Sequence, residues 1–185
     1  PLMRSLELED YARQFESVNA EAQALVANHG TAELTRPRGD GGGSAAECLE
    51  HVATTAAAYL PVLRAAVEAG RREGRLSDGP FAYGPMARLF VWAIEPPVRM
   101  RVRAPKLFAP RTQPELEAAL EAFLVRHRET IELMQEADGL DLQRIRIQSP
   151  ANAVLQLPLG AAFLMLAAHA RRHLWQIRRG FSASD

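Results

Sequence analysis

At 185 residues, 48% of them hydrophobic and 24% charged, the chain has the size and composition of a single globular domain over 1–185 with a substantial core. Lys+Arg and Asp+Glu both number 22, so there is no global field to draw in DNA, RNA or an anionic membrane, and neither nucleic acid nor membrane is an expected partner. Cys48 is the only cysteine, which excludes an internal disulfide, and the N-terminal stretch lacks an apolar leader pattern, so the cytoplasm is the expected compartment.

Leu8, Tyr11, Phe15, Val18, Ala22 and Leu25 recur every three or four residues, predicting a first helix over 6–28 that buries one stripe. His29 falls at its end, before Gly30, where a C-terminal capping role is expected. The residues TRPRGDGGGS that follow are loop chemistry, and they lead into Ser44-Ala45-Ala46-Glu47, the spacing of a capping box. A second helix is expected from there to about Glu73, turning Cys48, Leu49, Val52, Tyr59, Leu60, Leu63 and Val67 inward. Pro61 removes one helix hydrogen bond, and a kink is expected near it. Between Arg75 and Arg111, Pro80, Pro85, Pro96, Pro97, Pro105 and Pro110 break any long element, leaving a short helix through MARLFVWAIE in an otherwise irregular connection. Connections of this length serve as lids, pocket walls or subunit contacts, or simply cover one end of a core.

A third helix is expected to open at Thr112 or Gln113, with Pro114 in its first turn, and to close at Gly139. Its stripe of Leu116, Leu120, Phe123, His127, Ile131 and Met134 sets a histidine among apolar neighbours. The segment LDLQRIRIQSPANAVLQLP reads equally as an extended piece or a helical turn. A fourth helix is expected from Leu159 to about Arg179; the apolar run from Val154 to Ala168 is interrupted by Pro158 and is too short to span a bilayer. The fold class is therefore all-α, a four-helix bundle with a long irregular connection between the second and third helices.

The inward line of the fourth helix reads Leu159, Ala162, Leu166, His169, His173, Gln176. Histidines four apart share a helix face and can hold one metal ion, and His51 on the second helix is the candidate third ligand. Three protein ligands with a free position characterise a catalytic rather than a structural site. HxxxH without a nearby carboxylate is a motif of low specificity, however, and two histidines beside arginines in a last turn also serve to offset the helix dipole. His127 is either a core histidine bonded to a neighbour, a pocket-lining group or a substitute metal ligand, and it is the candidate catalytic acid or base, with Gln176 a candidate orienting partner of His173. Cys48 is expected to be a small buried residue, although it precedes His51 by less than one turn. The arginines at 171, 172, 178 and 179 read as the solvated side and C-terminal charge of the last helix. No GxSxG, P-loop or dinucleotide fingerprint supports another chemistry.

The stretches SAAECLEHV and AAHARRHLWQI, supported by GLDLQRIRIQSP and VRAPKLFAP, resemble the DinB-like superfamily over nearly the whole chain. The resemblance implies a four-helix bundle, often a homodimer, in which His51, His169 and His173 ligate a divalent ion such as zinc or nickel. Characterised relatives include thiol-dependent transferases and isomerases, while many members have no assigned reaction. The expectation that follows is a metal-dependent enzyme with a small-molecule substrate, transferring a low-molecular-weight thiol or hydrolysing a small substrate. Its rival is a non-catalytic, metal- or ligand-binding dimeric helical bundle. Gly43 departs from the pattern, standing where family members often carry tryptophan just before the serine that starts the second helix; this bears on the wall of the site and not on its ligands.

Overall fold

The computed structural model describes residues 3–38, 43–97 and 113–182. Helix α1, Leu6–Asn28, begins where the Ser5 side chain accepts a hydrogen bond from the Leu8 amide, and it buries the stripe that its spacing predicts. The amides of Arg4 and Ser5 also donate to the Asp138 carboxylate, at 2.7 and 3.0 Å, which ties the start of the chain to the end of a distant helix. At the other end of α1 the His29 ring donates from Nδ1 to the Leu25 carbonyl, 2.9 Å away, and stacks on Phe181. A short helix, α2, Thr31–Thr35, follows and buries Leu34 completely.

Helix α3, Ala45–Arg72, starts at the capping box and runs unbroken through Pro61. Pro61 sits on the exposed side, where water can satisfy the carbonyl that loses its partner. Helix α4, Pro85–Ile94, is the short helix anticipated in the connection, with Pro85 in its first turn. The rest of that connection, from 98 to 112, lies outside the described residues, and with it most of VRAPKLFAP and Thr112.

Helix α5, Leu116–Glu136, opens later than its sequence suggests. Gln113 has a φ of 54° and Glu115, not Thr112 or Gln113, is the residue before the first turn, so Pro114 stands outside the helix. A residue in left-handed backbone cannot begin a right-handed helix. The ambiguous segment after α5 resolves into a small antiparallel hairpin, β1 Arg146–Gln148 and β2 Gln156–Pro158, with Ile147 opposite Leu157 and both buried. Tyr59 on α3 anchors it through a 2.7 Å hydrogen bond between its hydroxyl and that of Ser149. Helix α6, Leu159–Ser182, continues directly from β2.

The described residues are thus mostly helical, with α1 packed on α5 and α6, and α3 packed on the same two. Among them no helix is long and apolar enough to cross a membrane. The apolar interior falls into two clusters. One joins Leu8 to Phe15 of α1 with Tyr59 to Val67 of α3, Leu133 and Met134 of α5 with Ala137 just past its end, and the first half of α6. The other joins Val18 and Ala22 with Ala45 to Ala53, Leu116 to Phe123, and Ala170, Leu174 and Ile177. Polar side chains gather where each long helix passes from one cluster to the other: Asn19 on α1, His51 and Thr55 on α3, His127 and Thr130 on α5, and His169 on α6. Such a layer costs desolvation, so its members need partners or a ligand.

Candidate metal centre

His51 is placed by the way α3 begins. The Glu47 amide donates to the Ser44 hydroxyl at 3.1 Å and the Ser44 amide donates to the Glu47 carboxylate at 2.7 Å, so the first turn is held at both ends and His51 follows one turn later. A Cβ at position 43 would lie 2.8 Å from Glu47 Oε2, so the glycine leaves room for the capping carboxylate to fold back. His51 is 7% exposed, and its carbonyl accepts from the Thr55 hydroxyl at 2.9 Å.

His169 and His173 occupy successive turns of α6 and face His51 across the α3–α6 contact. Ring centroids are 5.1 Å apart for His51 and His169, 4.7 Å for His51 and His173, and 4.6 Å for His169 and His173. One nitrogen from each ring lies within 4.8 Å of the other two, so the three could hold a metal ion. Small side-chain rotations would bring such donors to the roughly 2.0–2.1 Å of a zinc–imidazole bond. His51 is buried, whereas His169 and His173 each keep part of their surface open to solvent.

Electrostatics favour neutral rings at His169 and His173. Burial holds the His169 pKa down to about 3, and the repulsion a second proton would meet from His51, Arg172 and His127 adds to the effect. Burial also pushes His173 well below the usual histidine range, with His169, His51, Arg172 and Arg38 adding to the effect. A neutral imidazole offers the lone pair that a metal needs. His173 Nδ1 is buried with no hydrogen-bond partner, which ordinarily costs about 1–3 kcal/mol. A coordinated cation would satisfy that atom, so the residues present fit one.

His127 stands apart from this cluster. It is 1% exposed, lies against Phe15 and Phe123 at centroid distances of 4.9 and 4.1 Å, and is bonded through Nδ1 to Asn19 Oδ1 at 2.7 Å. Burial lowers its pKa to about 3. Gln176, one turn past His173, is half-buried. Cys48 is buried, as expected, but its sulfur also accepts a hydrogen bond from Arg38 Nη1 at 3.2 Å.

The α6 arginines are more engaged than a solvated face would be. Arg171 pairs with Glu95 and donates to Gln14 at 2.7 Å, Arg172 reaches the Ala93 carbonyl at 3.4 Å, and Arg178 pairs with Glu21 at 2.8 Å. Asn19 and Arg38 were not legible as site residues. Asn19 sits beside Val18 with nothing in its spacing to mark it, and Arg38 lies in a loop without periodicity.

The family model described as the DinB superfamily matches residues 14–177, a span that contains all three clustered histidines. No curated protein and no solved structure matches the chain.

Proposed function

The chain belongs to the DinB superfamily, and on that premise we propose that it is a metal-dependent enzyme built on the family's four-helix bundle, with His51, His169 and His173 as ligands of a zinc or nickel ion. The observation that carries this reading is the convergence of three imidazoles, two of them partly open to solvent, around the unpartnered His173 Nδ1. When bound, a divalent ion at such a site lowers the pKa of a bound water to about 7 and deprotonates a coordinating thiol. Transfer of a low-molecular-weight thiol to a small electrophilic substrate is the reaction we favour, with hydrolysis of a small substrate second. A cytoplasmic homodimer completes the proposal, by analogy with the family.

The chain's own residues would bind and orient. The α3 capping box fixes the depth of His51, and the continuous α6 fixes the one-turn separation of His169 and His173. His127 enters as the proposed acid or base, although its bond to Asn19, its aromatic neighbours and its depressed pKa are also what a packed core histidine requires.

Elemental analysis of tag-free protein purified without chelators tests the site before any substrate is chosen. About one zinc or nickel per chain is expected in the wild type and a near-complete loss in His169→Ala. Equal metal content in the two proteins refutes the ligand set. His127→Ala should keep its metal and lose turnover; loss of the metal would make it a ligand instead.

A further inference from the structure

We propose that Asn19 is a positioning residue for His127. It holds the buried ring with its hydrogen on Nδ1, and the lone pair left on Nε2 makes His127 an acceptor toward a proton donor brought to the histidine cluster, a base and not an acid. The role of base rests on the reading of His127 given above, whereas the place of the hydrogen rests on Asn19 alone. Asn19 Oδ1 lies 2.7 Å from His127 Nδ1. A carbonyl oxygen has no proton to give, so this bond forms only when Nδ1 carries one. Burial keeps the ring neutral near pH 7, and a neutral imidazole has a single N–H. With that hydrogen directed at Asn19, Nε2 is left bare.

Packing holds the pair in place. Phe15 meets the His127 ring edge-on at 4.9 Å and 72°, and Phe123 lies against it at 4.1 Å and 58°. Each phenylalanine sits one turn before the polar residue of its own helix, Phe15 before Asn19 on α1 and Phe123 before His127 on α5. The surroundings of Asn19 also set the sense of its amide. It is half-buried and lines the groove between α1 and α5, beside Glu16 and Gln23 of α1 and Arg128 and Glu132 of α5. With Oδ1 turned to the ring, the amide leaves its N–H donors for a groove that holds two carboxylates and is open to water. The flipped amide would give up that match and place the ring hydrogen on Nε2. His127 is also close enough to the cluster for its charge to bear on His169. An imidazole in this state accepts a hydrogen bond from a thiol S–H or a water O–H through Nε2 and has no hydrogen there to donate.

Nitrogen-15 NMR of the histidine rings reads the tautomer without any assay of turnover, with the His127 signals identified by their loss in His127→Gln. Near neutral pH the wild type should show a protonated Nδ1 and a bare Nε2. Asn19→Leu should lose that pattern, and Asn19→Asp, whose carboxylate also accepts, should keep it. Circular dichroism confirms that each variant is folded, and Asn19→Ala takes the place of the leucine variant if that one is not. A hydrogen on Nε2 in the wild type overturns the proposal, as does an Nδ1–H that persists unchanged once the Asn19 amide is removed. Added zinc tests the role at the centre: the His127 Nε2 signal should move while Nδ1 stays protonated. An Nε2 that is unmoved by zinc when the His169 and His173 signals shift, or that takes the shift of a coordinated nitrogen, overturns the acceptor role. If zinc moves none of the histidine signals, the metal-centre reading fails by itself, and the tautomers of the wild type and the variants still decide for or against Asn19.

Discussion

His127 shows how one buried side chain makes the whole protein sensitive to pH. Its ordinary pKa is about 6.5 in an unfolded chain, and in the fold burial lowers it to about 3. Between those values the unfolded state binds a proton that the native state refuses, so stability is complete above the unfolded value and is lost as pH falls from about 6.5 toward 3. His169 behaves the same way and His173 shifts in the same direction. The urea midpoint of chelator-treated protein should therefore fall steadily between pH 7 and pH 4. His127→Gln, which keeps a polar group near Asn19 but removes the titration, should make that decline shallower. Identical slopes for the two proteins would show that His127 carries no proton linkage.

At the scale of the elements, close packing at the entry to α6 sets a strict limit on one residue. Gly160, in the first turn of α6, faces Tyr83 so closely that a Cβ would overlap the phenolic hydroxyl, and it also lies near Leu142. That hydroxyl bonds to Tyr11 of α1 at 3.3 Å, so the glycine allows the segment before α4 to dock across α1 and α6. The crowding comes from the hydroxyl end of a tyrosine that is itself hydrogen-bonded, so relieving it means displacing a bonded side chain. Gly160→Ala should cost about 1–3 kcal/mol, the usual range for overpacking, as read by urea denaturation. A variant as stable as the wild type would mean that Tyr83 moves away freely. The start of α5 is the reverse case: the helix-start pattern around Pro114 was legible, yet the left-handed Gln113 delays the first turn to Leu116.

Across the whole molecule, the proposed ligands join α3 to α6 where the two apolar clusters meet, so metal and fold should be linked. An ion that binds only the native state adds about 2.7 kcal/mol when its concentration is 100 times Kd. Chelation should lower the melting temperature, added zinc should restore it, and His51→Ala should respond to neither. A melting temperature indifferent to metal in the wild type would mean that the ion does not bind the native state preferentially. The same interior explains why α6 is buried nearly all round through its first half, with Ala161, Phe163, Met165 and Ala167 each 3% exposed or less. A helix at the centre of a packed domain shows no simple stripe.

Local signals in the chain determined a great deal. The limits of α1, the capped start of α3, the short α4 and the one-turn pairing of His169 with His173 all follow from periodicity, capping residues and proline positions, because these act over a few residues. Even the likeness of two short stretches to a family could be read there. What only the tertiary structure decided was meeting across distance: His51 beside a pair more than a hundred residues away, Asn19 against His127, and Arg38 laid along Gly180 beside Cys48. It also settled the hairpin of Arg146–Gln148 with Gln156–Pro158. Such contacts depend on how whole helices pack, and on the free energy gained by burying their faces against one another. No spacing within a single helix records that.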